Sequence, residues 1–207
     1  MSEQPPEPRL IPLPVEKWDP RLREGLARAE ETAAEGEGAR NLQVPPNLAI
    51  NLIRTLAWNP DLTIALEPLL TQINSGSLPH RDRELAILRT AVLGRSGYEW
   101  SHHHMLAQLA GFTEDEVVRA GLGASSGGWS EDDAALLTAV DELHDQATLT
   151  DATWAKLAGR YDEAQLLELL VLVGTYRALA GMLNACRVPL DDWQTPRPLP
   201  GEDSQEG

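Results

Sequence analysis

The stretch from Arg81 to Gly111, RDRELAILRTAVLGRSGYEWSHHHMLAQLAG, constrains this chain most, because it puts ionisable groups on faces that helical spacing marks for burial. At about 100° of rotation per residue, Leu85, Ile87, Leu88, Ala91 and Val92 form one apolar arc, and Glu84 falls inside it. Gly94 and Gly97 bracket a turn. Beyond it Tyr98, Met105, Leu106, Leu109 and Ala110 form a second arc, with Glu99 and His102 inside and His103 at its edge. Trp100, Ser101, His104 and Gln108 are expected to point the other way. Burying an unpaired carboxylate costs several kcal/mol, so glutamates facing a core need a reason to be there. Taken singly, each has a simple structural one: Glu84 can favour a helix start or pair with Arg81, and histidines on apolar faces are commonly core residues. On consecutive helices they become a candidate site. The triple histidine adds less than it suggests, since three successive helical residues point in three directions and cannot converge on one metal.

The same punctuation repeats along the chain. Residues 1–16 are Pro-rich and read as an extended arm. Asp19-Pro20 opens a first helix, which should end near Gly36 and Gly38. Pro45-Pro46 opens a second and Asn59-Pro60 a third, in which Pro68 should introduce a kink. SGSLP at 75–79 is a loop. Thr113 with Glu116 makes a capping box for TEDEVVRAG, and Ser130 with Asp133 starts a further helix after the linker GLGASSGG. A shorter helix is expected around Thr153–Gly159. The last helix, from Asp162 or Glu163 to about Ala185, is apolar nearly all round, as a central or interface helix is. Gly174, Ala178, Gly181 and Ala185 give it a small-residue stripe. The tail after Pro189 is Pro-rich and acidic and reads as a surface segment or arm. No period-two alternation competes. The expected fold class is all-α, a single domain over 17–188 between an N-terminal arm and a tail from 189 to 207.

A formal net charge of −15 over 207 residues argues against nucleic-acid and anionic-membrane partners. No unbroken apolar run reaches the roughly 18 residues of a spanning helix. The N-terminus lacks a signal pattern, and Cys186 is the only cysteine, which excludes an intrachain disulfide or CxxC pair. A cytoplasmic protein is expected.

The segment RDRELAILR followed by SGYEWSHHHMLAQLAGFTEDEV resembles the carboxymuconolactone decarboxylase and alkylhydroperoxidase D-like superfamily. The resemblance is best from about Asn51 to Gly121 and continues through GWSEDDAALLTAVDELH and LVGTYRALAGMLNACRVPLD. In the peroxidase branch the motif is a glutamate, a CxxC pair and a histidine. Glu84 stands at the glutamate and His103 at the histidine, while Ser96 and Glu99 stand where the cysteines would be. Thiol peroxidase chemistry is therefore excluded. The resemblance implies a compact helical fold, assembly into homo-oligomers such as trimers or hexamers, and a site near subunit contacts. The last helix and an outward Trp100 would suit such assembly.

Glu99 and His103 are four apart on one helix, so their side chains can meet and form an acid–base pair. Glu84, buried among apolar neighbours, could serve as the acid. The decarboxylase branch handles small carboxylated lactones without metal or organic cofactor, which implies a cofactor-independent lyase, decarboxylase or isomerase acting on a small organic acid, lactone or enone. Glu84, Glu99 and His103 are the candidate catalytic residues. Ser96, Tyr98 and His102 join them as substrate-binding candidates, with Tyr98 as a hydrogen-bond donor, and Arg95 and Arg177 as cations for a carboxylate. Two alternatives remain open. One is a metal-dependent enzyme using Glu84, Glu99 and His103, or the Glu99-x-x-His102 half of a di-iron pair, whose second half is absent. The other is a non-catalytic ligand-binding or scaffold protein that keeps the buried groups as a satisfied network. No GxGxxG, P-loop, HExxH or GxSxG is present, and His144 reads as a solvated or capping histidine.

Overall fold

The computed structural model describes residues 7–26 and 50–201, and no strand occurs among them. The fold is all-α. Residues 20–26 are helical, opening at Pro20 as expected. The predicted end of that helix at Gly36 and Gly38, and the start of the next at Pro45-Pro46, lie outside the described residues. There follow α1 (Ile50–Leu56), α2 (Pro60–Ser75), α3 (His80–Leu93), α4 (Gly97–Leu109), α5 (Glu114–Leu122), α6 (Glu131–Gln146), α7 (Asp151–Arg160) and α8 (Glu163–Cys186). The caps are those the sequence marks. Asn59 accepts from the Leu62 amide at the head of α2, which continues unbroken through Pro68. Thr113 and Glu116 form a reciprocal capping box on α5, and Ser130 accepts from the Asp133 amide at the start of α6.

The chain packs as two compact units. The first holds the described residues up to Gly76 together with Met182–Trp193. Trp18, Leu22 and Ala57 are its apolar centre, with Leu13, Leu26, Ile53 and Ile64 around them. Its Pro-rich segment is extended, and its free carbonyls find donors. The Trp18 indole N–H donates to the Leu13 carbonyl and the Trp58 indole to that of Ile11, both at 2.9 Å. A hollow of about 270 Å³ lined by Leu22, Gly25, Leu26, Ile64, Glu67 and Pro68 contains none of the candidate site residues.

The second unit holds Ser77–Gly181 together with the described residues from Gln194 onward. Helix α3 is its axis, packed against α4, α5 and α6. Leu85, Ala86, Ile87, Leu88 and Ala91 lose all contact with solvent, and the polar Asp82, Arg83 and Glu84 are buried with them. Helix α3 is therefore enclosed rather than amphipathic. At its end, a Cβ on Gly94 would lie 2.8 Å from the Ala180 Cβ of α8, so the two helices can approach this closely only with glycine there.

Two expectations are corrected in this unit. Trp100, Ser101 and His104 are buried, with Trp100 only 1% exposed, and of the four residues expected outward only Gln108 is. The cover is the tail itself. The Gln194 amide donates to the Tyr98 carbonyl, the Arg197 backbone N–H donates to the Ser101 hydroxyl at 3.2 Å, and Leu199 is buried. Gly121 sits where a Cβ would meet Pro200 at 2.7 Å and Trp100 at 3.0 Å. Trp100 is thus a core residue and gives no support to assembly. The second correction concerns length. Helix α8 spans 24 residues with a mean hydropathy of 1.6 in its most apolar window, long and apolar enough to cross a membrane by those measures alone. Counting unbroken apolar runs missed it because Glu168 and Arg177 interrupt the sequence. One side of it is core, through Leu169, Leu172, Val173, Tyr176 and Ala180. On the other, Leu167 and Val171 are 64% and 44% exposed.

Candidate active site

The first turn of α3 sends four consecutive charged side chains to two places, because successive helical residues are about 100° apart. Arg81 and Asp82 enter a network in which every charge has a partner. Arg81 donates to Asp133 at 3.0 Å and to Glu116 at 3.1 Å, and its guanidinium lies 4.4 Å above the Phe112 ring. Asp82 accepts from Arg160 at 2.6 Å and from the Tyr161 hydroxyl at 2.8 Å. Burial, reinforced by Asp82, pushes the Tyr161 phenol well above its ordinary range. This cluster ties α3 to α5, α6 and α7.

Arg83 and Glu84 go elsewhere. Glu84 accepts from Nδ1 of His103 on α4 at 2.8 Å, with both side chains buried. A carboxylate can only accept, so Nδ1 carries the proton and Nε2 is left as the basic nitrogen. The second oxygen of Glu84 lies 3.7 Å from Nε2 of His80, one turn earlier on α3. Burial pulls the His80 pKa down against the pull of Glu84. Tyr176 of α8 sets its ring edge-on to His103, with centroids 5.1 Å apart, and the His102 ring tilts against His103 at 5.3 Å. Burial, aided by the neighbouring His103, lowers His102 to about 3, so its ring is neutral at any working pH.

Glu99 differs from Glu84. It is 4% exposed, and neither carboxylate oxygen has a hydrogen-bond partner. Loss of water pushes its pKa up to about 8, with a smaller opposing pull from the nearby Ser96 hydroxyl, which is not in bonding geometry with the carboxylate. That hydroxyl caps α4 by accepting from the Glu99 backbone N–H at 3.3 Å. The expected Glu99–His103 contact is therefore not formed. Spacing on α4 permits it, but α3 brings Glu84 to the ring first. The expected roles also exchange: Glu84 is the paired carboxylate and Glu99 the isolated one.

The remaining candidates separate. Tyr98 and His102 stack on one face of α4, with centroids 6.2 Å apart, and Ser96 is buried beneath them in sequence at the cap. Arg95 is exposed in a left-handed conformation, φ 51°, where α3 ends. Arg177 is exposed and donates to the Leu143 and His144 carbonyls, closing the end of α6. The metal arrangements allowed by spacing are not built: among the described residues no three His, Cys, Asp or Glu side chains form a set that could hold an ion. Sequence reasoning missed His80, Arg83, Glu168 and Tyr176. His80 precedes Glu84 by one helical turn and could have been found by that spacing. Arg83 looked like one more charge at a helix start, and nothing in the apolar run of α8 singles out Tyr176.

Residues 60–142 match the carboxymuconolactone decarboxylase family. No curated protein matches the chain. Among solved structures, the debrominase Bmp8, as a variant in complex with 2,3,4-tribromopyrrole, is 21% identical with a TM-score of 0.66, covering 88% of this chain and 91% of its own. The alkylhydroperoxidase AhpD core of an uncharacterized peroxidase-related protein from Ralstonia eutropha is 14% identical with a TM-score of 0.70, covering 90% and 94%. A peroxidase-related protein from a Silicibacter species is 13% identical with a TM-score of 0.69, covering 93% and 96%. At such identities the likeness speaks for the fold. The match to the carboxymuconolactone decarboxylase family spans residues 60–142, from α2 into α6, and the chain shares the all-α fold of these alkylhydroperoxidase D-like structures while lacking paired cysteines.

Proposed function

We propose that the second unit is a cofactor-independent acid–base enzyme, a lyase, decarboxylase or isomerase acting on a small organic acid, lactone or enone. The observation that supports this is that α4 carries both a base paired with Glu84 of α3, His103, and an isolated buried acid, Glu99. Glu84 fixes the tautomer and orientation of His103, leaving Nε2 to accept a proton. Glu99, held neutral by burial, carries a proton that it can donate at pH 7. Enzymes that work by acid–base chemistry near neutrality set two titratable groups apart in this way. The debrominase activity named for the tribromopyrrole-bound relative belongs to that protein and is not carried over to this chain, which is 21% identical to it.

The reading includes a small-molecule substrate, a cytoplasmic location and a homo-oligomer. The exposed Leu167 and Val171 on α8 support assembly, since they continue into Gly174 and Ala178 on the same face. The test of the reaction is a screen of small acids, lactones and enones in deuterated water, read by NMR for deuterium entering a carbon position or for loss of carbon dioxide. Turnover by the wild type that falls at least a hundredfold in both Glu99→Gln and His103→Gln supports the reading. Turnover that survives both substitutions contradicts it.

A further inference from the structure

Arg83 is the buried charge for which the acid–base pair gives no account. It is 5% exposed and its side chain has one hydrogen bond, from Nη2 to the Leu78 carbonyl at 2.9 Å. Its Nε–H is buried with no partner, and among the described residues it makes no ion pair. The other partly buried arginines of this unit are treated differently. Arg81, Arg89, Arg119 and Arg160 each meet a carboxylate. A buried guanidinium with carboxylates near it but none in direct contact is incompletely paired, and planar two-point contact with a carboxylate is the partner its geometry suits best.

The charged surroundings of Arg83 are those of the site. Burial lowers its pKa, and the groups opposing that are Glu84, Glu168 and Tyr176. Tyr176 touches the His103 ring, and Glu84 holds it. Glu168 does not close the gap: one oxygen accepts from the Ser77 amide and hydroxyl and the Leu78 amide, and the other is buried without a partner. We propose that Arg83 is the anion-recognising residue of this site, taking the carboxylate of the substrate beside the Glu84–His103 pair. The proposal rests on the acid–base reading for the reaction, but its prediction concerns binding alone. It also moves the cation expected at Arg95 or Arg177 to a residue next to Glu84.

The test compares benzoate with benzamide, which has the same ring and no charge, by calorimetry and by thermal unfolding of the full chain at pH 7. Benzoate should bind the wild type at least tenfold more tightly than benzamide. Arg83→Gln should remove that preference, and Arg83→Lys, which keeps the charge but loses the fork, should fall between. Equal binding of the two probes, no binding of benzoate, or an unchanged benzoate affinity in Arg83→Gln would overturn the proposal. The wild-type comparison stands even where the glutamine variant fails to fold. Deuterium exchange reports the chemistry separately. Its absence alongside Arg83-dependent benzoate binding would defeat the acid–base reading only, and its presence without such binding would defeat only the role of Arg83.

Discussion

Arg81 and Asp82 differ from Arg83 and Glu84 in what the fold does with them, although all four are consecutive on one helix turn. The first two enter a network whose partners come from α5, α6 and α7, so each charge is matched. Around the second two, Glu84 has His103, but the Arg83 Nε, one oxygen of Glu168 and both oxygens of Glu99 are buried and unmatched. A structural network is complete in the folded chain, whereas unmatched polar atoms in an interior cost stability and call for another explanation. Burial of charge does not by itself point to function; in the proposed reading it is the unfinished pairing around Arg83, Glu168 and Glu99 that does.

The largest effect should come from breaking the finished side. Asp82→Ala leaves Arg160 with only its 3.5 Å contact to Asp133 and the Tyr161 hydroxyl without its acceptor, and should cost about 3–5 kcal/mol in denaturant unfolding. A loss under about 1 kcal/mol would mean that the network is not what holds these helices. On the unfinished side the sign reverses. A glutamate that stays neutral in the fold up to about pH 8 loses stability relative to the unfolded chain, where it ionises from about 4.5 upward. Glu99→Gln should therefore gain on the wild type as pH rises from 5 to 8, by about 3 kcal/mol over that span, and lose turnover. A constant difference across pH would remove the neutral-acid assignment.

A smaller effect lies on the acid side. His102 resists protonation down to about pH 3 when folded, whereas an unfolded histidine takes its proton near 6.5. Stability that it contributes is present above 6.5 and is lost as pH falls toward 3. The loss by pH 5 should be about 2 kcal/mol, absent from His102→Gln, as read by urea midpoints at each pH. Smallest is the exposed pair of Arg119 with Asp115, whose loss in Asp115→Asn should stay within about 0.5 kcal/mol.

The helices and their caps were legible in the sequence because they depend on local chemistry. Asn59, Thr113 and Ser130 are each followed by the amide they cap. Glu84 and His103 were legible as residues, through burial periodicity and the family motif, but their pairing was not. Spacing on a single helix favoured Glu99 as the partner, and only the approach of α3 to α4 decides the matter. The burial of Trp100 depends on a tail far along the chain, and the isolation of Arg83 depends on where every other carboxylate goes. Both are properties of packing, which no local window contains.

The most direct test of this account is the ionisation of Glu99 itself, followed by carbon-13 NMR of the glutamate side-chain carboxyls and assigned by the signal that vanishes in Glu99→Gln. The account predicts a carboxyl still protonated at pH 7, titrating near 8. Titration near 4.5 would show an ordinary ionised carboxylate, and the paired-base, isolated-acid site would fall with it.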